Sequence, residues 1–212
     1  MPRSDLAVAL AVLCCVFVSP LSAQPSPVPV PDTVQSARAA AVALQHAEQT
    51  HLWRVAAWGG TNVLGGLALM WGTNRSRRSA RWHFGAMSAG WGAVNIGIAT
   101  VGLLASNAPS PDPGAVLSAE RQFHDILLFN LGLNVAYSAV GGTMLGAGYR
   151  DVSNAGRWRG FGTALILQGA GLLVLDGIAF LASRTRLANL IGPSADLTVL
   201  VRPDQLAVAL QF

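Results

Sequence analysis

The chain has 212 residues, 52% of them hydrophobic and only 11% charged. A soluble domain carries about a quarter charged residues, so the composition excludes an ordinary soluble class and points to helices in lipid. All 14 basic residues are Arg and the formal net charge is +4, but no basic and aromatic patch gathers on one element, which excludes a nucleic-acid partner.

Residues 1–23 read as a secretory signal peptide. Arg3 supplies a positive start, Leu6 to Val18 an apolar core, and Leu21-Ser22-Ala23 a small-residue cleavage site. Cys14 and Cys15 lie within that core, so cleavage leaves a chain with no thiol chemistry. Residues 24–33 form a linker with Pro25, Pro27, Pro29 and Pro31, extended because each ring fixes the backbone. Asp32 or Thr33 is expected to cap a long first helix from Val34 to Trp71. Its first half is Ala-rich and carries Arg38, His46 and Glu48; from Leu52 it is apolar enough to enter lipid, with Arg54 at the interface.

An Arg-rich loop, 72–81, leads to a second span over about Trp82 to Leu104. A loop with Pro109, Pro111 and Pro113 and no basic residue follows; Ser118 and Arg121 open a third span that reaches about Gly148. The loop after it is basic again, with Arg150, Arg157 and Arg159, and a fourth span covers about Phe161 to Ala182. Basic loops stay in the cytoplasm. The alternation therefore places both termini outside, in agreement with the signal peptide, while Arg184 and Arg186 weigh mildly against it. In the tail, 184–212, apolar residues alternate with polar or smaller ones on either side of Pro203-Asp204, which predicts a β-hairpin lying as an extracytoplasmic flap.

Each span carries polar residues near its middle. Helical spacing lines up His51, Val55, Trp58, Asn62 and Gly65 in the first, and Ser88, Trp91, Asn95, Ile98 and Gly102 in the second. The third lines up Leu127, Asn130, Asn134, Tyr137 and Gly141, and the fourth Gly162, Leu165, Gly169, Leu172 and Asp176, with Gln168 to one side. Small residues let membrane helices approach, and amides bond across the gap. The pairs Gly65-Gly66 and Gly141-Gly142, and the Gly142 and Gly146 step, read as packing of the same kind. The candidate ligand-binding residues are Trp58, Asn62, Trp91, Asn95, Asn130, Asn134, Tyr137, Gln168 and Asp176. An acid within a span is costly unless partnered; Asn62, Asn95, Asn134 and Arg54 are its candidate partners.

His51 and His124 fall toward the outer side and form the one candidate pair for a haem or a metal ion, without any metal-ligand spacing. There is no phosphate loop, no nucleophile elbow and no close pair of carboxylates in a span, so no enzyme chemistry and no cofactor is expected.

Trp82-His83-Phe84 leading to Trp91 and Asn95, then Asn130, Asn134 and Tyr137, Gly160-Phe161-Gly162, and Leu167-Gln168-Gly169 running to Asp176 carry a resemblance. Over about residues 50–185 the chain resembles a family of small bacterial membrane proteins known only as a domain of unknown function. The resemblance implies four spans and brings no activity.

The expected fold is all-α: an up-and-down bundle of four transmembrane helices over 34–183, with a long first helix and a short C-terminal β-hairpin. The expected setting is a bacterial inner membrane, with both termini outside the cytoplasm. The lipid bilayer is the expected partner, with a membrane or periplasmic protein meeting the outer helix and hairpin. The primary expectation for function is a structural or partner-binding bundle; the alternative is small-molecule or ion binding and transport at the polar layer.

Overall fold

The structure, a computed structural model, describes residues 32–75 and 79–192 and the backbone of two short strands beyond them. The segment expected to be a signal peptide and residues 24–31 of the expected Pro-rich linker lie outside the described residues, while Asp32 and Thr33 open the first helix. Four helices follow in order: α1 Asp32–Trp71, α2 Ala80–Ala105, α3 Pro113–Ala147 and α4 Ala155–Ile191. The strands β1 Leu197–Arg202 and β2 Gln205–Leu210 pair antiparallel along the backbone. No side chain in them is described, and the architecture rests on the helices alone.

Local chemistry accounts for the helix ends. The Ser79 hydroxyl accepts the Trp82 amide at the start of α2. Asp112 caps α3 by accepting the Ala115 amide at 2.9 Å, with Pro113 in the first turn, where its missing N–H costs nothing. That cap starts α3 at Pro113 rather than at the Ser118 expected from the sequence: the third proline of the loop opens the helix instead of ending the loop. Asn154 takes a left-handed backbone, φ 64°, to turn the chain into α4. Gly192 at φ 79° caps α4, whose last residue, Ile191, lies nine residues beyond the Ala182 at which the fourth span was expected to stop.

The apolar and polar residues are distributed inside out. Leu64, Val101, Leu104, Phe129, Val174 and Leu181 are exposed on the outer faces, while Asn62, Asn95, Asn134, Gln168 and Asp176 are buried. A water-soluble protein reverses that order, so the surface belongs in lipid. Three helices, α2, α3 and α4, are long and apolar enough to cross a membrane, where four were expected. α1 falls short because Arg54, Thr61, Asn62 and several glycines dilute its apolar half.

The helices pack as two antiparallel pairs, α1 with α2 and α3 with α4, joined mainly along α2 and α4. Glycines make each pair close. Gly59 lies opposite Gly92 and Gly66 opposite Gly85; a Cβ at Gly92 would sit 2.5 Å from the Gly59 carbonyl. Gly141 lies opposite Gly162, where a Cβ would sit 2.6 Å from the facing carbonyl. These are small-residue seams of the kind that hold membrane helices. They correct part of the expected packing. Gly66, not Gly65, forms the first seam, and Gly142 and Gly146 face open space.

At 26 residues α2 is about 39 Å long and α3 at 35 residues about 52 Å, against a lipid core of about 30 Å. Gly102 near the end of α2 packs on Leu52, so α1 before Leu52 extends past the end of α2. There α1, α3 and α4 enclose an apolar core of Leu44, Phe123, Leu127 and Ala179.

Candidate functional site

The polar layer separates into two groups of side chains. The first centres on Gln168, which is 1% exposed. The Trp58 indole can only donate, and it donates to Gln168 Oε1 at 3.0 Å. That settles the amide: Gln168 Nε2 donates to Asn62 Oδ1 at 2.5 Å, and Asn62 Nδ2 donates to the Trp58 carbonyl at 2.7 Å. Asn95 Nδ2 approaches Gln168 Oε1 from α2 at 3.4 Å. Gln168, placed by the sequence to one side of its stripe, is therefore the hub, tying α1, α2 and α4 together.

The second group centres on Asp176, which is 4% exposed. Asn134 Nδ2 donates to its Oδ2 at 2.6 Å, and His51 Nε2 lies 3.1 Å from its Oδ1. Of the expected partners Asn134 is present, while Asn62 and Asn95 are committed to Gln168 and Arg54 is exposed. His51 takes the place expected for Arg54. It lies seven residues before Trp58, two turns along the same face. The signal was in the sequence, since His51 heads the first stripe, but its reading as a metal ligand hid the pairing.

His51 also meets the Phe123 ring edge-on, whereas His124 stacks on Phe180. The two histidines pack against different rings, and among the described residues no group of three or more His, Cys, Asp or Glu is placed to hold a metal ion.

A third polar group, missed from the sequence, lies where α1, α3 and α4 extend past the end of α2. Glu120 is 1% exposed and accepts Arg186 Nε and Nη2 at 2.9 Å each, together with the Ser183 hydroxyl. This forked pairing satisfies a buried acid across α3 and α4. The only hint in the chain was an acid and a base on predicted neighbours, 66 positions apart. Nearby, burial raises the Glu48 carboxyl above its ordinary value; Glu120 adds to the rise and Arg186 opposes it.

No Cα of α2 comes within 8 Å of one of α3. The two helices meet through Trp91 and Tyr137, whose ring centroids are 4.9 Å apart. The space beside these rings is a cleft of about 570 Å³, reaching to the loop at Ser106 and Asn107. Its wall is largely apolar, with Leu52, Val55, Ile98 and Leu133, and includes His51, Asn95, Asn130, Asn134 and Asp176. Of the nine candidate residues, six line the cleft: Trp91, Asn95, Asn130, Asn134, Tyr137 and Asp176. Trp58, Asn62 and Gln168 form the closed network behind it.

These features define a class: an all-α bundle with the outward apolar surface of a membrane protein, a buried amide layer and a polar-walled cleft. Residues 54–177, more than half of the chain, match DUF6992, a family of unknown function, and the chain belongs to that family. No curated protein and no solved structure matches it. Both polar groups other than His51 fall within the matched segment, and the Glu120 pairing reaches beyond it to Ser183 and Arg186.

Proposed function

We propose that the protein is an integral membrane protein that binds a small molecule in the cleft between α2 and α3. The observation that carries this is the cleft itself: α2 and α3 do not approach closely, and the space beside them is walled by His51 of α1, Asn95 of α2, Asn134 of α3 and Asp176 of α4. Ligand sites are concave and mostly apolar, with a few convergent polar groups, and volumes of about 300–1,000 Å³ are usual. The structural reading applies to the Gln168 network, whose donors and acceptors are spent on one another. The layer thus has a part that holds helices and a part that faces a ligand.

In this reading the chain crosses a bacterial inner membrane four times, α1 joining the bundle through its glycine seam with α2. Both termini lie outside, residues 1–23 serve as the signal, and the tail forms a β-hairpin flap beside the outer helices, where a membrane or periplasmic partner would meet it. Arg184 and Arg186 still weigh mildly against this topology, although Glu120 holds Arg186 in a forked ion pair within the bundle. A reporter fused at Asn74 or Asn154 should be active only in the cytoplasm, and one at Pro111 or after Phe212 only outside. A cytoplasmic signal after Phe212 would overturn the threading.

The site is tested by native mass spectrometry of the full chain released from mild detergent. A small molecule should accompany the wild type and be lost in Ile98→Trp, which places an indole in the cleft. Equal occupancy in both would remove the cleft as the site.

A further inference from the structure

Resting on the cleft as the binding site, we propose that its ligand is an organic cation: an amine or quaternary ammonium carrying an apolar body. Three independent observations converge on this chemistry.

The first is charge. Glu48, His51 and Asp176 are the titratable acids and imidazole on the wall, and among the described residues no Arg lines it. Every basic residue of the chain is Arg, so an anionic ligand would find no guanidinium in the cleft. A carboxylate or phosphate buried without a cationic partner is heavily penalised, whereas a cation beside Asp176 is not.

The second is the direction of the hydrogen bonds. Asn134 must turn its NH₂ toward the Asp176 carboxylate, which when ionised can only accept. Asn95 must turn its NH₂ toward Gln168 Oε1, because the Trp58 indole has already fixed that oxygen. Both amides line the cleft, and the Oδ1 of neither takes a hydrogen bond from a described residue. His51, 6% exposed, faces Asp176 through Nε2, and its buried Nδ1 has no partner. Around Asp176 and Gln168 the protein has thus spent its amide donors on itself and left amide acceptors at the wall, while Ser106, Asn130 and the Tyr137 hydroxyl can serve in either direction.

The third is the aromatic pair. Trp91 of α2 and Tyr137 of α3 stand together on the wall, their ring centroids 4.9 Å apart. Aromatic faces attract cations, and quaternary ammonium groups are recognised in this way. A bare metal ion fits less well, because about 570 Å³ of largely apolar space far exceeds its needs and no metal-holding group of residues is present among those described. The apolar wall at Leu52, Ile98 and Leu133 suits the body of an amphipathic ligand entering sideways from lipid.

The experiment uses the full chain in lipid nanodiscs, with empty nanodiscs as the blank. Isothermal titration compares three probes sharing one body: phenylbutyltrimethylammonium, phenylbutanol and phenylbutyrate. The ammonium should bind at least tenfold more tightly than the other two. Asp176→Asn should remove that preference, bringing the ammonium to the affinity of phenylbutanol for the same variant. Trp91→Leu and Tyr137→Leu should each weaken the ammonium severalfold, which keeps the proposal testable if the Asp176 variant does not fold. Phenylbutanol or phenylbutyrate binding as tightly as the ammonium, and lost in Ile98→Trp, would overturn the cation and leave the cleft as a site. If no probe binds, or if binding ignores Ile98→Trp, the site reading itself falls.

Discussion

The bundle contains two kinds of helix interface. The seams of α1 with α2 and α3 with α4 are closed: glycine meets glycine, and a Cβ on either side would strike backbone. α2 and α3, by contrast, have no close backbone approach; they are bridged at Trp91 and Tyr137 and otherwise parted by a cleft. The polar residues follow the same division. Gln168 sits behind the opening in a closed set of bonds, whereas Asp176, Asn134 and Asn95 line it. The comparison teaches that an amide in a membrane helix is not informative by itself. Whether it glues or binds depends on whether its interface is sealed.

The sharpest way to break the comparison is to overfill a seam. Gly92→Leu should cost about 3 kcal/mol or more, the upper end for overpacking, because the obstacle is the Gly59 carbonyl and the Val63 backbone rather than a side chain that can swing away. Gly142→Leu, pointing into open space, should stay within about 0.5 kcal/mol. Thermal unfolding in detergent that ranks the two equally would remove the seam from the account.

The closed network comes next. Gln168→Leu strands the Trp58 indole, Asn62 Oδ1 and Asn95 Nδ2 together. At about 0.6–1.7 kcal/mol for each hydrogen bond in a membrane bundle, the loss should reach about 2–3 kcal/mol, with ligand binding retained in the fraction that folds. A binding loss larger than the stability loss would make Gln168 part of the site.

A smaller effect is expected at Glu48 on the wall of the cleft. Burial raises the Glu48 carboxyl, first by desolvation and then through Glu120, so ionising it costs more in the folded chain than in the unfolded one. The stability tied to its protonated form is complete below the ordinary carboxyl value of 4.5 and declines as pH rises through the raised value. Melting curves across that window should therefore show a fall in the wild type and a flatter profile in Glu48→Gln. An identical fall in both would assign the change to another group.

The smallest stability effect belongs to the open side. Asp176→Asn keeps the shape and much of the bonding to His51 and Asn134, and its melting point should lie close to the wild type, while Asp176→Leu should be clearly destabilised. A large loss of stability in Asp176→Asn would place this acid with the glue instead.

Much of this molecule follows from local chemistry that any reader of the chain can follow. The apolar runs and the Arg-rich turns set four helices, and period-3.6 spacing puts Asn62, Asn95, Asn134 and Asp176 inward, while the Asp112 cap moved the start of α3 ahead of the expected Ser118. Helical phase was misjudged where a one-residue shift decides the face, as at Gly65 and Gly66, because both fit an inward stripe and only the partner helix selects between them. The sequence could not choose partners either. His51 rather than Arg54 reaches Asp176, Gln168 becomes a hub, and Glu120 finds Ser183 and Arg186. Each of these pairings joins residues on different helices, at separations where periodicity carries no information. The cleft depends on tertiary structure most of all: it exists because two glycine seams pull the helices into pairs and leave α2 and α3 apart, a consequence of backbone approach that no single helix encodes.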